Sequence, residues 1–460
     1  MSRLSLLREA IKGSKQDFTQ GPIGHALVML AIPMVLETLL ESLFAVVDIF
    51  FVAHLGADAI ATVGLTESMM ALIYSVAMGL GIGATAVVAR RIGEKHADAA
   101  AHAAAQAILL GILVSLPIAA VGIAFAPHLL AFLGASPDVQ RSGSTFTRVM
   151  LGGNAAVLLL FLINAVFRGA GDAAIAMRSL WLASACNMIL GPLFIFGVGP
   201  FPRLGVTGAA VGTTIGRSIG VLYQFTQLRR RDGRLVIRRP HVTIDPTLMG
   251  QLVRLSGSGI FQILVGTTSW IGLVRVIAAF GSNVLAGYTI GIRVIIFALL
   301  PSWGLSNAAA TLVGQNLGAK QPERAARSAW MAGFYNTLVL GTVGLLFVVF
   351  TRPIIGIFTH DPTIVPWGVS CLRIVSAGFV FYAYGMVLSN AFNGAGDTWT
   401  PTWLNLVCFW LWEVPLAWYL SSKPSLGPSG VFIAINVAFS TFAIASAWLF
   451  RRGRWKSRAV

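Results

Sequence analysis

The sequence has little charge, few cysteines and no cluster of metal-binding or nucleophilic side chains. Only 11% of its 460 residues are charged, against about 25% in a soluble domain, which excludes the soluble class. The three cysteines lie in different apolar segments, so we expect no disulfide framework. The seven histidines are scattered, without the spacing of zinc ligands, and the glycines do not form the pattern of a phosphate-binding loop. We therefore predict neither an enzyme nor a bound metal or cofactor.

Hydrophobic residues make up 56% of the chain, and the mean hydropathy is +0.78. A net charge of +16 could indicate a nucleic-acid partner, but 23 of the 33 Lys and Arg residues fall in the two tails or in every second inter-helix loop. This is the positive-inside pattern of a multi-pass membrane protein. It predicts a membrane location with both termini cytoplasmic, contact with lipids and no nucleic acid.

Twelve apolar segments are long enough to span a bilayer. They are approximately 27–53, 61–89, 100–124, 143–167, 174–198, 205–228, 250–279, 284–313, 325–350, 366–392, 399–421 and 429–450. The sequence therefore predicts an all-α polytopic membrane protein with 12 transmembrane helices in two pseudo-symmetric six-helix bundles. The predicted parts are a cytoplasmic amphipathic segment (1–26), a first bundle (27–228), a basic cytoplasmic linker (229–249), a second bundle (250–450) and a basic cytoplasmic tail (451–460).

The two halves repeat each other. A shift of 225 residues places Gly79 on Gly304, Lys95 on Lys320 and the Gly-Ala-Gly-Asp motif at 169–172 on the same motif at 394–397. A fixed register over so long a stretch indicates an internal repeat. Parallel repeats of six spans are a transporter architecture, in which alternating access comes from rocking of the halves.

The first apolar segment carries three carboxylates: Glu37, Glu41 and Asp48. At about 100° per residue they lie on one narrow face of a helix. A charge at the bilayer centre costs roughly 2.5–3.5 kcal/mol, so this face must contact other helices or water. One buried carboxylate could be a structural hydrogen-bond centre, but three repel one another, and we expect at least one to hold a proton. We interpret the stripe as a site for a proton or a small cation.

Other motifs have a structural interpretation first. We expect the Gly-Ala-Gly-Asp motif to form a helix connector in which the Asp caps the next helix. Four glycines of segment 6 indicate close helix packing: Gly205, Gly208, Gly212 and Gly216. Glu413, in aromatic-rich segment 11, could be an interfacial or buried ion-pair residue, with a transport role as the less favoured alternative.

Five local sequences then suggest a family. They are Thr19-Gln-Gly-Pro-Ile23 entering Leu30-Ala-Ile-Pro33, Val47-Asp48 before Leu55-Gly-Ala-Asp-Ala-Ile-Ala61, Arg168-Gly-Ala-Gly-Asp172, Pro192-Leu-Phe-Ile-Phe-Gly197, and Gly205-Val-Thr-Gly-Ala-Ala210. Together they make the chain resemble the MATE (multidrug and toxic compound extrusion) transporters, in particular their DinF-like bacterial branch. The resemblance covers residues 19–450 and implies two six-helix bundles and cation-coupled export of amphipathic compounds.

The resemblance also implies roles for single residues. Asp48 matches the first-helix Asp that members use in proton or sodium coupling, and Pro33 matches their helix-bending proline. Asn187 is similar to the family's segment 5 Asn, while Asn164 and Thr213 match polar partners on segments 4 and 6. These three residues would form a polar substrate pocket.

The chain departs from the family pattern at the segment 5 acid, which is replaced by Gly191. Glu41 stands where relatives often have Gln, and we infer that Glu41, with Glu37, restores the missing acid. The second half lacks the stripe, since Asp48, Glu41 and Glu37 align with Leu273, Gly266 and Gln262. The coupling site is thus predicted in the first half alone.

We predict a monomeric secondary antiporter that exports amphipathic, cationic organic compounds, including drugs and other xenobiotics, in exchange for protons or sodium. Asp48, Glu41 and Glu37 would bind the coupling ion. The alternative is a lipid or lipid-linked oligosaccharide flippase of the same superfamily, which would need a cationic cavity. Arg217, Arg275 and Arg293 keep that alternative open.

Overall fold

The structure, a computed structural model, describes residues 3–13 and 16–458, without the side chains of residues 3, 4, 45, 46, 48, 49 and 53. This part of the chain is almost wholly helical and contains no β-strand. The first eight helices are α1 (Arg3–Lys12), α2 (Ile23–Ala53), α3 (Ala57–Gly93), α4 (Ala97–Phe132), α5 (Pro137–Gly152), α6 (Asn154–Ala170), α7 (Ala173–Phe196) and α8 (Val206–Arg229). They are followed by α9 (Pro246–Ala278), α10 (Ser282–Gly318), α11 (Pro322–Val349), α12 (Thr351–Gly356), α13 (Val365–Ala377), α14 (Phe379–Gly394), α15 (Trp399–Asn405), α16 (Val414–Ser421) and α17 (Ser429–Arg451).

Each of the twelve predicted segments corresponds to a helix or to a pair of helices, so the predicted all-α membrane class is confirmed. Among the described residues, nine spans are long and apolar enough to cross a bilayer, and α13 with α14, bent by 58°, makes a tenth. The glycine-rich, threonine-rich α8 falls outside that set. So does the run from α15 to α16, which a π-helical turn at Leu406–Glu413 interrupts.

The described chain forms two compact units. The first unit comprises Met1–Gln16 and Leu36–Ile260, and the second comprises Asp17–Val35 and Phe261–Val460. The first part of α2 therefore belongs to the second unit, and the first part of α9 belongs to the first unit. The basic linker lies wholly within the first unit, while the bundle boundaries at 228 and 250 stay a prediction.

The repeat is visible in how these helix parts pack. In the second unit, a Cβ atom on Gly304 of α10 would lie 2.7 Å from the backbone nitrogen of Val35 on α2. In the first unit, Gly79 of α3 makes the corresponding close contact with Ile260 of α9. Both pairs are related by the same shift of 225 residues. Glycine is required at both positions because any side chain would displace a neighbouring backbone.

The two Gly-Ala-Gly-Asp motifs form the predicted tight turns, with Gly171 at φ 88° and Gly396 at φ 83°. The prediction that the Asp caps the next helix is wrong for Asp172, whose side chain makes no capping hydrogen bond. Its carboxylate instead lies 3.5 Å from Nε of Arg234, a residue of the linker. The Asp172 carboxylate therefore interacts with the guanidinium of a linker residue and not with the backbone amides at the start of α7.

The linker is held against α4. Gln106 Nε2 donates to the carbonyl oxygen of Thr243 at 2.7 Å, and the Gln106 carbonyl accepts from the Asp245 amide at 3.2 Å. Asp245 Oδ1 accepts from the amides of Leu248 and Thr247 and so caps α9. These hydrogen bonds lower the pKa of Asp245 below its ordinary value, and the bond from the Leu248 amide has the largest effect.

The glycines of α8 lie against α7, as the sequence predicted, with one exception. A Cβ on Gly208 would lie 2.5 Å from the backbone of Phe194, and one on Gly216 would lie 2.7 Å from the carbonyl oxygen of Ala183. Gly205, which immediately precedes α8, makes no such contact and has φ 56°. Its glycine is needed for this left-handed backbone rather than for packing.

We expect Gly304→Ala to destabilise the protein, because the new methyl group would lie against the backbone of Val35. The matched change Gly266→Ala, in α9 where nothing lies within 4 Å, should be neutral or stabilising by up to about 1 kcal/mol. Chemical unfolding in mixed micelles would measure both. Equal effects of the two changes would contradict the assigned close packing.

Lys95 and Lys320, equivalent in the repeat, follow α3 and α10 with φ values of 64° and 58°. A residue with a Cβ atom is strained in this region. We expect Lys95→Gly and Lys320→Gly each to raise the free energy of unfolding by about 1 kcal/mol. Glu94→Gly is the control, since Glu94 has φ −69° and should lose stability. A loss of stability in both lysine variants would refute this explanation.

Candidate functional site

The site is organised by α2, which is helical from Ile23 to Ala53 and contains Pro33. Pro33 lies two residues before the point at which α2 passes from the second unit to the first. Glu37 and Glu41 follow it and belong to the first unit. Asp48 lies on the same helix, but its side chain is outside the described part of the structure.

Glu37 is 4% exposed and is bound by two side chains of α6. Its Oε1 accepts from Nη1 of Arg168 at 2.8 Å and from Nδ2 of Asn164 at 2.9 Å. Its other oxygen, Oε2, is buried without a hydrogen-bond partner among the described residues. The predicted position of the stripe, facing protein rather than lipid, is confirmed for Glu37.

Gln224 of α8 extends this cluster. Its Nε2 donates to Oδ1 of Asn164 at 2.7 Å and to the carbonyl oxygen of Leu160 at 3.0 Å. Asn164 thus accepts from Gln224 and donates to Glu37, so the two bonds fix the orientation of its amide. Three helices, α2, α6 and α8, are joined by this buried chain of hydrogen bonds.

Glu41 forms a second ion pair one turn further along α2. Its Oε1 accepts from Nη2 of Arg217 at 3.1 Å, and the same Nη2 lies 3.2 Å from the hydroxyl oxygen of Tyr74. The Arg217 side chain is only 5% exposed, whereas that of Glu41 is 28% exposed. Exposed Glu67 adds a longer-range attraction to Arg217.

Aromatic rings surround the Arg217 guanidinium. Its Cζ lies 5.8 Å from the ring centroids of Phe44 and Tyr74 and 5.5 Å from that of Phe161. Such contacts stabilise a desolvated cation by roughly 1–2 kcal/mol each. Nε and Nη1 of Arg217, and Oε2 of Glu41, are nevertheless buried without partners among the described residues. The pair therefore keeps unused donors and an unused acceptor.

Asn187 and Thr213, the other predicted pocket residues, form a separate pair between α7 and α8. Nδ2 of Asn187 donates to Oγ1 of Thr213 at 2.9 Å. Gly191, one turn on, leaves room for a Cβ atom, since the nearest neighbour of an added Cβ is Oδ1 of Asn187 at 3.4 Å. The predicted residues thus lie in three places: Glu37 with Asn164, Glu41 with Arg217, and Asn187 with Thr213.

Three partner residues were missed by the sequence. Arg168, which the sequence presents only as the first residue of the Arg168–Asp172 motif, lies in the last turn of α6 and pairs with Glu37. Arg217 was treated only as support for the flippase alternative, and Gln224 was not considered. The signal was the stripe itself, because a carboxylate buried in a bilayer needs a counter-charge.

This arrangement can exchange charge. Counted with Asp48, the five charged residues Glu37, Glu41, Asp48, Arg168 and Arg217 have a formal sum of −1. One bound cation or one bound proton makes that sum zero.

Comparison with known proteins gives a consistent picture. The family model MatE matches residues 33–193 and 260–419. The chain is 26% identical over 439 residues to the Probable multidrug resistance protein NorM of Thermotoga maritima, covering 95% of this chain and 94% of that protein. It is also 26% identical over 449 residues to a FAD transporter of Shewanella oneidensis, covering 95% and 96%.

Solved structures share the fold. A crystal structure of MATE in complex with MaL6 has a TM-score of 0.89 at 24% identity, covering 96% of this chain and 99% of that one. A MOP superfamily transporter from Pyrococcus furiosus has a TM-score of 0.88 at 24% identity, covering 96% and 98%. The architecture is therefore common to these chains despite their low identity.

We expect Glu41→Gln and Arg217→Met each to lower the free energy of unfolding by about 3 kcal/mol, since each leaves the other group less compensated. Because the partners share one interaction, the double variant should lose less than the sum of the two. Denaturant titration in mixed micelles would measure this cycle.

Glu323→Gln is the control for that cycle. Its ion pair with Lys456 is at the surface, where the carboxylate is 81% exposed, and its loss should cost less than about 1 kcal/mol. Strictly additive losses for Glu41 and Arg217 would contradict the coupling of the buried pair.

Proposed function

The chain belongs to the MatE family, and from this premise we propose that it is a secondary antiporter that exports amphipathic, cationic organic compounds in exchange for protons. The observation that carries the proposal is the pair Glu41–Arg217 beside the pair Glu37–Arg168, within one unit and on the helix that carries Asp48. Two relatives, aligned over 95% and 83% of this chain, are named for multidrug resistance and multidrug export respectively.

In the proposed cycle, the proton-free site has the formal charge of −1 and attracts an organic cation. A proton that binds Asp48 or Glu41 makes the site neutral and removes this attraction, so the cation is released. Return of the proton-loaded site to the inner side, and loss of the proton there, complete the exchange. The ligand shifts the conformational equilibrium only by its differential affinity for the two states.

Glu41 has a particular role in this proposal. Its unpartnered Oε2 can accept a proton, which would weaken the attraction to Arg217. Glu37 is more fully enclosed by Arg168 and Asn164, so we assign it the supporting role of holding α2 against α6. Asn187 and Thr213 would supply hydrogen-bonding groups to the substrate.

Export of an anionic compound is the second candidate. It is favoured by Nε and Nη1 of Arg217, two nitrogens without a partner among the described residues, and one relative is named a FAD transporter. The flippase alternative now depends on Arg275 and Arg293, both exposed side chains of the second unit, because Arg217 has a carboxylate partner. A vesicle transport assay that compares cationic, anionic and lipid-linked substrates distinguishes these three candidate functions.

We further propose a monomer in the bacterial inner membrane with both termini in the cytoplasm. The distribution of basic residues supports this topology. The linker and the tail also share a feature, since Arg234 and Arg458 each lie 3.5 Å from the Asp of a Gly-Ala-Gly-Asp turn. Both turns would then lie on the cytoplasmic side.

We expect Asp48→Asn to lower export of ethidium driven by a pH gradient at least about tenfold in proteoliposomes, and Glu41→Gln to lower it as well, because each removes a proton-binding group. Exchange of ethidium without a gradient should fall as well, because each substitution also removes the negative charge that attracts the organic cation. Glu323→Gln is the control and should transport like the unaltered protein. A sodium gradient imposed separately distinguishes the two coupling ions.

Two results would overturn these assignments. Asp48→Asn with unaltered coupling would remove Asp48 from the mechanism. A double change, Glu37→Gln with Glu41→Gln, that left coupling intact would refute the idea that these residues replace the acid absent at Gly191.

A further inference from the structure

The second unit contains a buried carboxylate whose role the site of the first unit does not explain. Glu413 is 2% exposed and is the last residue of the π-helical turn at Leu406–Glu413. Its carboxyl group forms no hydrogen bond or ion pair with the described residues. Glu37 and Glu41, by contrast, each have a guanidinium partner.

The π-helical turn is held in place on one side by α9. Nε1 of Trp410 donates to the carbonyl oxygen of Val265 at 3.2 Å and lies 3.1 Å from Oγ1 of Thr268. Val414, which follows Glu413, lies near Gly272 of the same helix. These contacts fix the backbone on both sides of Glu413. A π-helical turn is rare and is often found at functional sites.

The other groups near Glu413 are aromatic or only weakly acidic. Tyr288 of α10, Tyr382 of α14 and Cys408 of the π-helical turn interact with it electrostatically. Tyr288 also interacts with the Cys371 thiol of α13. The Tyr288 hydroxyl is itself buried without a partner among the described residues. None of these groups is a cation at neutral pH.

Two phenylalanine rings of α17 pack on the tyrosines near Glu413. Phe432 of α17 is stacked on Tyr288 at 6.2 Å between ring centroids, and Phe439 of α17 is stacked on Tyr382 at 4.0 Å. Within the second unit, the arginine side chains of α9 and α17 are exposed: Arg275 and Arg451. A carboxyl group in such surroundings is stable when it carries a proton, because no counter-charge compensates its ionised form.

The internal repeat relates this position to the first unit. Gly208 packs against Phe194 and Ile195 of α7, and its equivalent Gly430 packs against Leu420 and Ser421 of α16. Phe194 therefore matches Leu420, and Ile195 matches Ser421. The members of each pair are 226 residues apart, one more than at the Gly-Ala-Gly-Asp motifs. One inserted residue is what a π-helical turn adds to an α-helix.

By this register, Glu413 occupies the place of Asn187 in the first unit. The partner of Asn187 there is Thr213. Packing of Gly208 and Gly430 places Ile435, which is fully buried, at the position of Thr213. The second unit thus has an acid where the first has an amide, and an aliphatic side chain where the first has the hydroxyl that binds that amide.

From this juxtaposition we infer that Glu413 is a proton-binding site of the second unit, which holds a proton in the state described here and releases it during the transport cycle. The inference rests on the proposed transport function. On release, the O–H bond of the carboxyl group breaks and the proton passes to water on one side of the membrane. The O–H bond forms again with a proton taken from water on the other side. No electron transfer is involved.

Infrared spectroscopy of the full-length protein in lipid tests whether Glu413 holds a proton. We expect the carbonyl band of a buried carboxylic acid near neutral pH, shifted in heavy water and missing in Glu413→Gln. Glu323→Gln, which removes an exposed carboxylate of the same unit, should leave it unchanged. A spectrum of Glu413→Gln identical to that of the unaltered protein in this region overturns the inference.

A folding control keeps this test decisive. Gln has nearly the shape of protonated Glu, so Glu413→Gln should retain the Tm of the unaltered protein. If it does not fold, Glu413→Asp takes its place. A displaced carboxylic acid band in that variant supports the inference, and an unchanged band overturns it.

The release step is tested with proteoliposomes that contain the organic cation tetraphenylphosphonium. We expect Glu413→Gln to move fewer protons per exported cation than the unaltered protein, while exchange of the cation without a gradient continues. Unchanged proton stoichiometry overturns the release step. If the unaltered protein exports no cation under a pH gradient, the proposed function fails, whereas the infrared band still reports on Glu413.

Discussion

A charge inside the hydrocarbon region must be neutralised by a partner or by a proton, and this requirement fixes how the helices of the first unit meet. Glu37 on α2 holds Arg168 on α6, and Glu41 on α2 holds Arg217 on α8. Gln224 then connects α8 to α6 through Asn164. Removal of one member would leave the other uncompensated, so these residues depend on one another.

Close approach of backbones is the second constraint, and it explains why glycine recurs at fixed places in both halves. Without a hydrophobic driving force between helices in lipid, association depends on packing of small residues. In the first unit the backbone at Ile260 packs closely against Gly79. In the second unit the backbone at Val35 packs closely against Gly304. The repeat is therefore a repeat of contacts as well as of residue types.

The two units use these constraints differently. In the first unit Glu37 and Glu41 lie on α2, the first long helix, and are paired with arginines. In the second unit the corresponding positions hold Leu273, Gly266 and Gln262, and the buried acid is Glu413 on a helix interrupted by a π-helical turn. The asymmetry predicted for the stripe holds in the sequence, while each described unit still contains buried carboxyl chemistry of its own.

The sequence by itself determined the all-α membrane class, the segments and the repeat, because bilayer thickness and helix periodicity leave a strong pattern in one dimension. It also placed Glu37 and Glu41 on an inward face. Only the tertiary structure decided their partners, since Arg168 and Arg217 are more than one hundred residues away along the chain. It likewise showed that Glu413 has no counter-charge among the described residues and stands in the place of Asn187, because an inserted residue in a helix changes its register without a mark in the hydrophobic pattern.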